Sequence, residues 1–500
     1  MLGRSRFWLY RNIVALFTLL GFRSQKVVPL EAPLDGTVQF RPYADAYPAM
    51  PVKGLYLATT FPSGDHAGKR LKRITMQNKL LALVKRIAPE RTPPVPADEA
   101  GFVAAVYPRA FRRAWPAAPT VPGPLVDTVD LVAELAVRGP FASFLRRTDD
   151  DRYEFGADWL HSYDVASGLA RPGGTATLVV RDGCLVTERV ESAGTASGQV
   201  RAALLAGLNE QLTTFRHNVD VHLTMLTSFG IASTNQLDAR HPVRRLLHHC
   251  FNTVLIGNVE LSSAQLSGPR SFLPTIFSHE ADVLLRMVED HLSHFDFWDY
   301  EPPTQFERRG TTQTPFEYSY RDNVMAFWSE IRDYVERYLD IYYDSDEAVA
   351  RDPQLANWAA DLDRLVPNGV DADGGITLNW LVRVCATLVH VSTVEHDILN
   401  NVVWDYTTLG WLTPTVVPLS GKPMDQRRSF DLIATLIGTW KPYNMLLTAD
   451  VPKLALDERA AAVMRAWIDR LDRLQDTMTA QHPGDRSLSY PAGLNVSISN

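Results

Sequence analysis

Two histidine pairs and the chain terminus carry the side chains best suited to hold a metal ion. His217 and His222 form an H-x4-H pair, and His396 and Asn400 form an H-x3-N pair. The last residue, Asn500, adds an α-carboxylate. Three imidazoles, a carboxamide and a carboxylate suit a redox-active first-row metal, iron above all, better than a closed structural zinc site.

The spacing of the first pair demands an unusual helix. Because an α-helix has 3.6 residues per turn, His222 would be rotated well away from the face that carries His217. A wider π-type turn brings residues i and i+5 together, and such turns are frequent at functional sites. The pair therefore indicates either a distorted helix with two ligands or two unrelated histidines in a histidine-rich region.

The second pair lies near the end of a stretch, residues 378–399, that is apolar nearly all round and predicts a buried helix. Four residues separate His396 from Asn400, which places both side chains on one helix face. Buried polar groups are costly unless they are hydrogen-bonded or bind a metal. Glu395 and Asp397 are candidate ligands or orienting groups, but a solvent-facing helix end is favoured for them. An ordinary structural role for the His396–Asn400 pair also stays open.

The C-terminal segment, residues 487–500, is mostly polar and has no helical period, so a frayed tail is the default expectation. The alternative is a tail inserted into the body of the protein, which would deliver the Asn500 carboxylate to a buried place. Four apolar side chains could anchor such a tail: Tyr490, Leu494, Val496 and Ile498.

The remaining histidines are expected to have ordinary roles. His248–His249 and the His291-x2-His294 pair favour hydrogen bonds at the surface or in the core over metal binding. His241 directly precedes Pro242, and we expect it to shape a turn.

Composition describes an ordinary globular chain of 500 residues, with 46% apolar and 21% charged residues. A net charge of -7 argues against a nucleic-acid partner. The three cysteines match no zinc or disulfide framework and indicate a reducing compartment, so we expect a cytoplasmic protein. The sequence has no GxGxxG, Walker, CxxC, G-x-S-x-G or HExxH motif, which disfavours the commonest cofactor and hydrolase classes.

The elements that must position these residues are mainly α-helical. Apolar spacing predicts helices over 324–342, 430–440 and 460–478, and the helical pattern persists from about residue 200. The N-terminal half contributes a small β element, a hairpin with strands 175–180 and 185–190 around an Asp-Gly turn. Nine prolines within 89–124 predict a loop-rich wrap or linker.

We divide the chain into three parts. Residues 1–26 form an apolar and basic N-terminal helix, residues 27–199 contain the proline-rich wrap and the β-hairpin, and residues 200–500 form a helical core. Residues 7–22 are largely apolar, flanked by arginines and interrupted by Arg11. This pattern favours a helix packed on the body or lying at a membrane surface over a secretion or anchor signal. Peripheral membrane contact through this helix is the corresponding expectation for partners and location.

Several stretches resemble lipoxygenases in the order and spacing of their residues, over about residues 200 to 500. They are Ile231 to Asn258 with its central His241-Pro242, Phe306 to Gly310, Tyr318 to Asp340, Asp352 to Leu355, Leu381 to Cys385, and Ser497 to Ser499. An N-terminal β-sandwich, typical of eukaryotic members, is not evident, so the chain resembles a divergent short form.

The resemblance implies a ligand set for a mononuclear non-haem iron. His217 and His222 match the family's H-x4-H pair, His396 its third histidine, Asn400 its weaker asparagine ligand and Asn500 its terminal carboxylate. The run from this pair to His241-Pro242 is a few residues short. In a rival register His217 is the second ligand, Leu212 occupies the first position and His222 is not a ligand.

Three positions depart from the family pattern. Asn500 stands where isoleucine is usual, Val403 where glutamine is usual, and Leu261 where a small residue is linked to stereochemistry.

The resemblance implies an oxidoreductase of lipid metabolism, a dioxygenase that uses O2 and an unsaturated fatty acid. It removes hydrogen from a methylene between two double bonds and forms a hydroperoxide. An enzyme of the same fold acting on another substrate in specialised metabolism, or a non-catalytic lipid-binding relative, are the alternatives.

Overall fold

The computed structural model of the protein describes most of the chain. The described residues are 2–23, 36–62, 72, 76, 79, 83–84, 88, 92–107, 118–126, 130–267, 271–372, 375–422, 424–439 and 451–494. Helices dominate, with small antiparallel sheets confined to residues before 200. The predicted mainly α fold with a small β element is therefore confirmed.

The helices of the described chain, apart from short 3-10 turns, fall into two groups along the sequence. Before residue 200 they are α1 Leu2–Arg23, α2 Tyr43–Ala46, α3 Glu99–Val106, α4 Gly123–Val126 and α5 Leu131–Val137. Those that follow are α6 Val200–Glu210, α7 Thr227–Gln236, α8 Pro242–Phe251, α9 Val254–Leu261, α10 Leu273–Ile276, α11 Ala281–Leu292, α12 Pro302–Arg308, α13 Ser319–Leu339, α14 Asp346–Ala350, α15 Pro353–Leu365, α16 Leu378–His390, α17 Val403–Thr407, α18 Gln426–Thr439 and α19 Glu458–Gln481.

Two sheets are present in the described part of the chain, and both are antiparallel. Their strands are β1 Phe40–Pro42, β2 Tyr56–Ala58, β3 Leu145–Asp149, β4 Arg152–Gly156, β5 Thr175–Arg181 and β6 Cys184–Glu191. The predicted hairpin is β5–β6, where Asp182 and Gly183 both have positive φ, as a type I′ turn requires. Strand β3 was not predicted, because only its first residue is buried and alternation is lost.

The axis of the core is a continuous helical rod, the central helix, that runs from α6 to α7. Its middle, Gln211–Leu226, is a π-helix of 16 residues. Side chains are buried on all sides over most of this length. A second rod, the 378–407 helix, consists of α16, two π segments at Val391–Glu395 and Ile398–Val402, and α17. Both histidine pairs therefore lie on buried helices.

Helix α13 packs on α16 of the 378–407 helix, and α19 packs on α13. Their interface includes the stacked rings of Tyr334 and Trp467, whose centroids are 4.1 Å apart. Apolar residues of α13 within the predicted helix 324–342, among them Val324 and Trp328, are buried. Helices α18 and α19 confirm the predictions at 430–440 and 460–478, apart from residue 440, which lies outside the described residues.

Helix α1 packs against α18, in agreement with the prediction of a helix lying on the body. Phe7 and Tyr10 make edge-to-face contacts with Phe430, at 6.2 and 5.8 Å between centroids. The Tyr10 hydroxyl also donates to Asp431 Oδ1 at 2.7 Å. Among the residues that the structure describes, no helix is long and apolar enough to cross a membrane.

The described part of the proline-rich region runs along the start of α18. Val95 N donates to Met424 O at 2.8 Å, and Pro94 and Asp425 form an isolated β-bridge. The region also contains a helix, α3, whose N-terminus is capped by Asp98. This helix was not predicted from the sequence, because prolines are dense on both sides of it. The helix itself contains no proline. Residues 89–91 and 108–117 of the predicted wrap lie outside the described residues.

Candidate metal centre

His217, His222 and His396 meet in the interior of the protein. One ring nitrogen from each lies within 4.8 Å of the others. The ring centroids are separated by 5.0, 5.2 and 5.3 Å, so the three rings are nearly equidistant. Each residue is at most 8% exposed. Among the described residues this is the group of histidine, cysteine and acidic side chains whose donor atoms could hold a metal ion.

The π-helix brings the first pair together. His217 and His222 both lie within Gln211–Leu226, where a turn is wide enough to align residues five apart. Two side chains bond to carbonyl oxygens five residues earlier: Asn218 Nδ2 donates to Thr213 O at 2.6 Å, and Thr227 Oγ1 to His222 O at 3.0 Å. These bonds satisfy carbonyls on the distorted backbone.

The imidazoles have the orientation that metal ligands need. Within the described part of the chain, the Nε2 atoms of His217, His222 and His396 are buried and have no hydrogen-bond partner. Such atoms are costly to bury unless something else satisfies them. The Nδ1 of His222 lies 3.0 Å from Asn258 Oδ1, and because this oxygen can only accept, Nδ1 carries the proton. The Nε2 lone pair of His222 is thus directed into the cluster.

Burial keeps all three rings neutral near pH 7. It lowers the pKa of His222 to about 4, although the Asn258 hydrogen bond acts in the opposite direction. The pKa of His217 is well below its usual range because of burial and then the neighbouring His222. The pKa of His396 is also well below that range, through burial and repulsion from both other histidines. Neutral imidazoles are the form that binds metal ions.

Of the two other predicted ligands, the structure describes Asn400 but not Asn500. Asn400 lies in the π segment Ile398–Val402, four residues after His396, and is 9% exposed. Asn500 lies outside the described residues, and so do residues 495–499 of the predicted inserted tail. Leu212, which the rival register places in the first ligand position, is a member of the hydrophobic core.

The prediction that Glu395 and Asp397 mark a solvent-facing helix end is wrong. They are 2% and 7% exposed, respectively. Glu395 Oε1 accepts from Arg216 Nε at 2.5 Å, and Asp397 Oδ2 accepts from Ser489 Oγ at 2.5 Å. Each carboxylate has a partner distant in sequence, for which a local sequence pattern carries no signal; the other oxygen of Asp397 accepts from Asn401, four residues on.

The C-terminal segment is hydrogen-bonded through Ser489 to Asp397, the residue after His396. Besides the Ser489–Asp397 bond, Ser489 exchanges two backbone hydrogen bonds with the side chain of Asn323 on α13, both at 3.1 Å. Leu494 is 1% exposed and Tyr490 is partly buried. Residues 487–494 are therefore docked in the body, as the inserted-tail alternative required for this part of the segment.

Three of the other histidines have the ordinary roles expected from the sequence. His241 caps α8, since its Nδ1 accepts from Val243 N at 3.2 Å. His291 Nε2 pairs with Asp220 Oδ1 at 2.8 Å. His249 is fully buried beside Cys250, with Nε2 and Sγ 3.6 Å apart.

A family model matches part of the chain, and several curated proteins also match part of it. The model, described as Lipoxygenase, covers residues 304–433, which include His396 and Asn400. Hydroperoxide isomerase ALOXE3 of Homo sapiens is 23% identical over 234 residues, 46% of this chain and 32% of the relative. Linoleate 9S-lipoxygenase 2 of Oryza sativa subsp. japonica is 26% identical over 226 residues, 42% of this chain and 25% of the relative. These matches span only about a quarter to a third of the relatives' lengths.

Solved structures share the fold over a much larger part of the chain. Coral 8R-lipoxygenase superposes with a TM-score of 0.74 at 15% identity, over 93% of this chain and 79% of the other. A calcium-dependent 11R-lipoxygenase gives a TM-score of 0.66 at 15% identity, over 74% of this chain and 66% of the other. The family model over residues 304–433, the curated relatives and the common fold all link this chain to the lipoxygenase family.

Proposed function

We propose that this chain is a non-haem iron dioxygenase that inserts O2 into a polyunsaturated fatty acid or a similar lipid. The observation that carries the proposal is the set of three neutral, buried imidazoles whose Nε2 atoms converge without other partners in the described chain. Imidazole donors with open positions suit iron chemistry, whereas a structural zinc site would be closed by four protein ligands. Family membership supports iron over other first-row metals.

The proposed ligands are His217, His222, His396, Asn400 and the carboxylate of Asn500. When bound, iron supplies the one-electron step that removes hydrogen from a methylene between two double bonds, after which O2 adds to the carbon radical. The chain's own contribution is to present three Nε2 lone pairs in fixed orientations and to keep bulk water away. Burial of all three rings supports that second role, because an enclosed site favours an apolar chain over bulk water next to the metal.

A hydroperoxide isomerase is a second candidate. Several relatives carry that name, among them the human protein that matches 46% of this chain. Such an enzyme would consume a lipid hydroperoxide and would not need O2. Leu261 and Val403 also depart from the usual family residues, which keeps open a different substrate in specialised metabolism; both are buried, at 5% and 2% exposure.

We further propose that helix α1 contacts a membrane surface from which an apolar substrate is taken up. Its outer face exposes Trp8, Leu9 and Leu16, at 58%, 47% and 53%, while Phe7 and Tyr10 face α18. Aromatic and aliphatic side chains on one face of a surface helix suit the boundary between headgroups and acyl chains. The free thiols of all three cysteines fit a reducing compartment.

The deciding experiment combines iron analysis with two substrate assays. Purified protein should contain iron, and His396→Ala should lose most of it, since two imidazoles bind iron far more weakly than three. Oxygen uptake with linoleate supports the dioxygenase. Consumption of linoleate hydroperoxide without oxygen uptake supports the isomerase instead. Wild-type protein without iron, or a His396→Ala variant with full iron content, would contradict the proposed site and leave a non-catalytic lipid-binding protein.

A further inference from the structure

A buried ion pair joins the two helices that carry the histidines. Arg216 Nε and Glu395 Oε1 are 2.5 Å apart, and their side chains are 6% and 2% exposed. Arg216 directly precedes His217 on the central helix, and Glu395 directly precedes His396 on the 378–407 helix. The ion pair therefore links the two helices, and on each helix it lies one residue before a candidate ligand.

Arg216 also takes part in a network of polar contacts along the π-helix. Its guanidinium lies 4.8 Å from the centroid of the Tyr300 ring. The Tyr300 hydroxyl donates to Asp220 Oδ2 at 2.5 Å, and His291 pairs with the other oxygen of Asp220. Asp220 lies between His217 and His222, so one buried polar network holds the π-helix on both sides of His217.

Stability alone is a weak reason for such a pair. Removing two charges from water costs about as much as their attraction returns, and well-packed apolar residues often serve equally well. What a buried ion pair adds is a fixed distance and direction between two backbones. Metal sites need that property, because ligand distances must be met to within about 0.2 Å.

We propose that Arg216 and Glu395 are positioning residues that set the separation and angle between His217 and His396, and hence the affinity and geometry of the metal site. The inference rests on the proposed metal centre. A slip of one helix against the other would move the His396 Nε2 relative to the other two donors. The ion pair prevents this slip at the nearest point available on each helix, next to the histidine.

The test uses Co²⁺ as a spectroscopic probe, since its visible bands report coordination geometry. Three variants are compared with the wild type: Glu395→Gln, the double variant Arg216→Met/Glu395→Gln, and Glu301→Gln as a matched control. Glu301 forms a second ion pair with the 378–407 helix, through Arg383. Arg383 precedes His396 by 13 residues, roughly 20 Å along an α-helix. For each protein the Co²⁺ Kd, the visible spectrum and the Tm of the metal-free form are measured.

We expect Glu395→Gln to weaken Co²⁺ binding about 10- to 100-fold, as loss of supporting residues around a metal typically does, and to shift the visible bands. Glu301→Gln should leave both properties unchanged. The double variant leaves no charge unpaired, so its Tm should recover while its Kd and spectrum stay altered.

If affinity and spectrum recover together with Tm in the double variant, the pair is merely structural and the inference is overturned. It is equally overturned if Glu395→Gln binds Co²⁺ like the wild type. Oxygen uptake by the wild type separates this result from the proposed function. Shifted spectra without any turnover would remove the dioxygenase but keep the positioning role, whereas a wild type that binds no Co²⁺ would remove both.

Discussion

Leu212 and His222 lie five residues on either side of His217, in different surroundings. Leu212 is 1% exposed and packs among apolar side chains. His222 presents Nε2 to the histidine cluster and is fixed through Nδ1 by Asn258. These surroundings favour the register in which His217 and His222 are both ligands.

We expect His222→Ala to lose most bound iron and activity, because one of three strong donors disappears. Leu212→Met is the matched control, as a swap that nearly conserves volume and costs less than about 1.5 kcal/mol in a core. Metal analysis of both purified variants provides the measurement. Normal iron in His222→Ala would favour the rival register.

The sequence identified the ligand candidates but not the residues that hold them. Histidine pairs have a recognisable spacing, whereas Arg216 and Glu395 are 179 positions apart and neither suggests the other. A carboxylate near a helix end is usually solvated, and this general tendency led to the wrong placement of Glu395 and Asp397. Charged residues of opposite sign, each directly preceding a candidate histidine ligand on a predicted helix, are the signal that could have been used.

At the level of elements, the H-x4-H spacing required a distorted helix only if both histidines are ligands, with two unrelated histidines as the alternative, and the structure has a π-helix there. The length of 16 residues could not be predicted. A π-helix is maintained by side chains that satisfy its backbone, such as Asn218 and Thr227, and by neighbours distant in sequence, such as Asn258. Local periodicity contains none of these contacts.

The C-terminal segment makes a prediction about the proposed metal ligand at its end. Its described part ends at Leu494, and the proposed ligand carboxylate of Asn500 lies six positions further along the sequence. Adding a few residues after Asn500 would turn that carboxylate into a neutral amide. We expect severe loss of iron and activity with little change in Tm, measured on matched tagged and untagged proteins.

Asn500→Ile is the control for this experiment, because it changes the side chain and keeps the carboxylate, and we expect iron to be retained. A C-terminally extended protein with normal iron and turnover would exclude Asn500 as a ligand.

Helix α1 makes a separate prediction about membranes. Replacing Trp8 and Leu9 by serine should reduce sedimentation with phospholipid vesicles several-fold, because these exposed side chains would enter the lipid boundary. The fold should be retained, since the buried face with Phe7 and Tyr10 is untouched. Leu419→Ser, at a position 62% exposed outside α1, serves as control. Equal binding by all proteins would contradict the membrane role of α1.

At the scale of the whole molecule, burial of histidines makes stability depend on pH. Burial lowers the pKa of His249 to about 4, against about 6.5 in an unfolded chain. Between these values the unfolded state binds a proton that the folded state does not, so folding is favoured above pH 6.5 and weakened as pH falls toward 4. The contribution is on the order of 3 kcal/mol for one such histidine.

Urea unfolding at about pH 7.5 and about pH 4.5 measures this effect, since the two values lie on either side of the unfolded pKa. His249→Gln should reduce the difference in unfolding free energy between the two pH values, because one titrating group is removed. The same change at the exposed His294 should leave the difference as it is in the wild type. An unchanged pH dependence in His249→Gln would show that this ring does not contribute.

The general architecture was easier to predict. The helical spacing of apolar residues and the Asp-Gly turn of the hairpin can both be recognised within short stretches of the sequence. What the sequence left open is how distant segments meet, as with Ser489 against Asp397 and Asn323. These contacts join parts of the chain that lie 92 and 166 positions apart.

Asn258 has a consequence for how the sequence can change over time. Its Oδ1 accepts from the His222 ring, while its Nδ2 donates to the His222 carbonyl at 2.6 Å and to Thr227 Oγ1 at 2.8 Å. One amide thus recognises both the ring and the backbone of the same residue. Aspartate could still accept from the ring but could not donate to the carbonyl, and leucine could do neither, so only an amide keeps both contacts. We therefore expect substitutions at positions 222 and 258 to be correlated among related sequences.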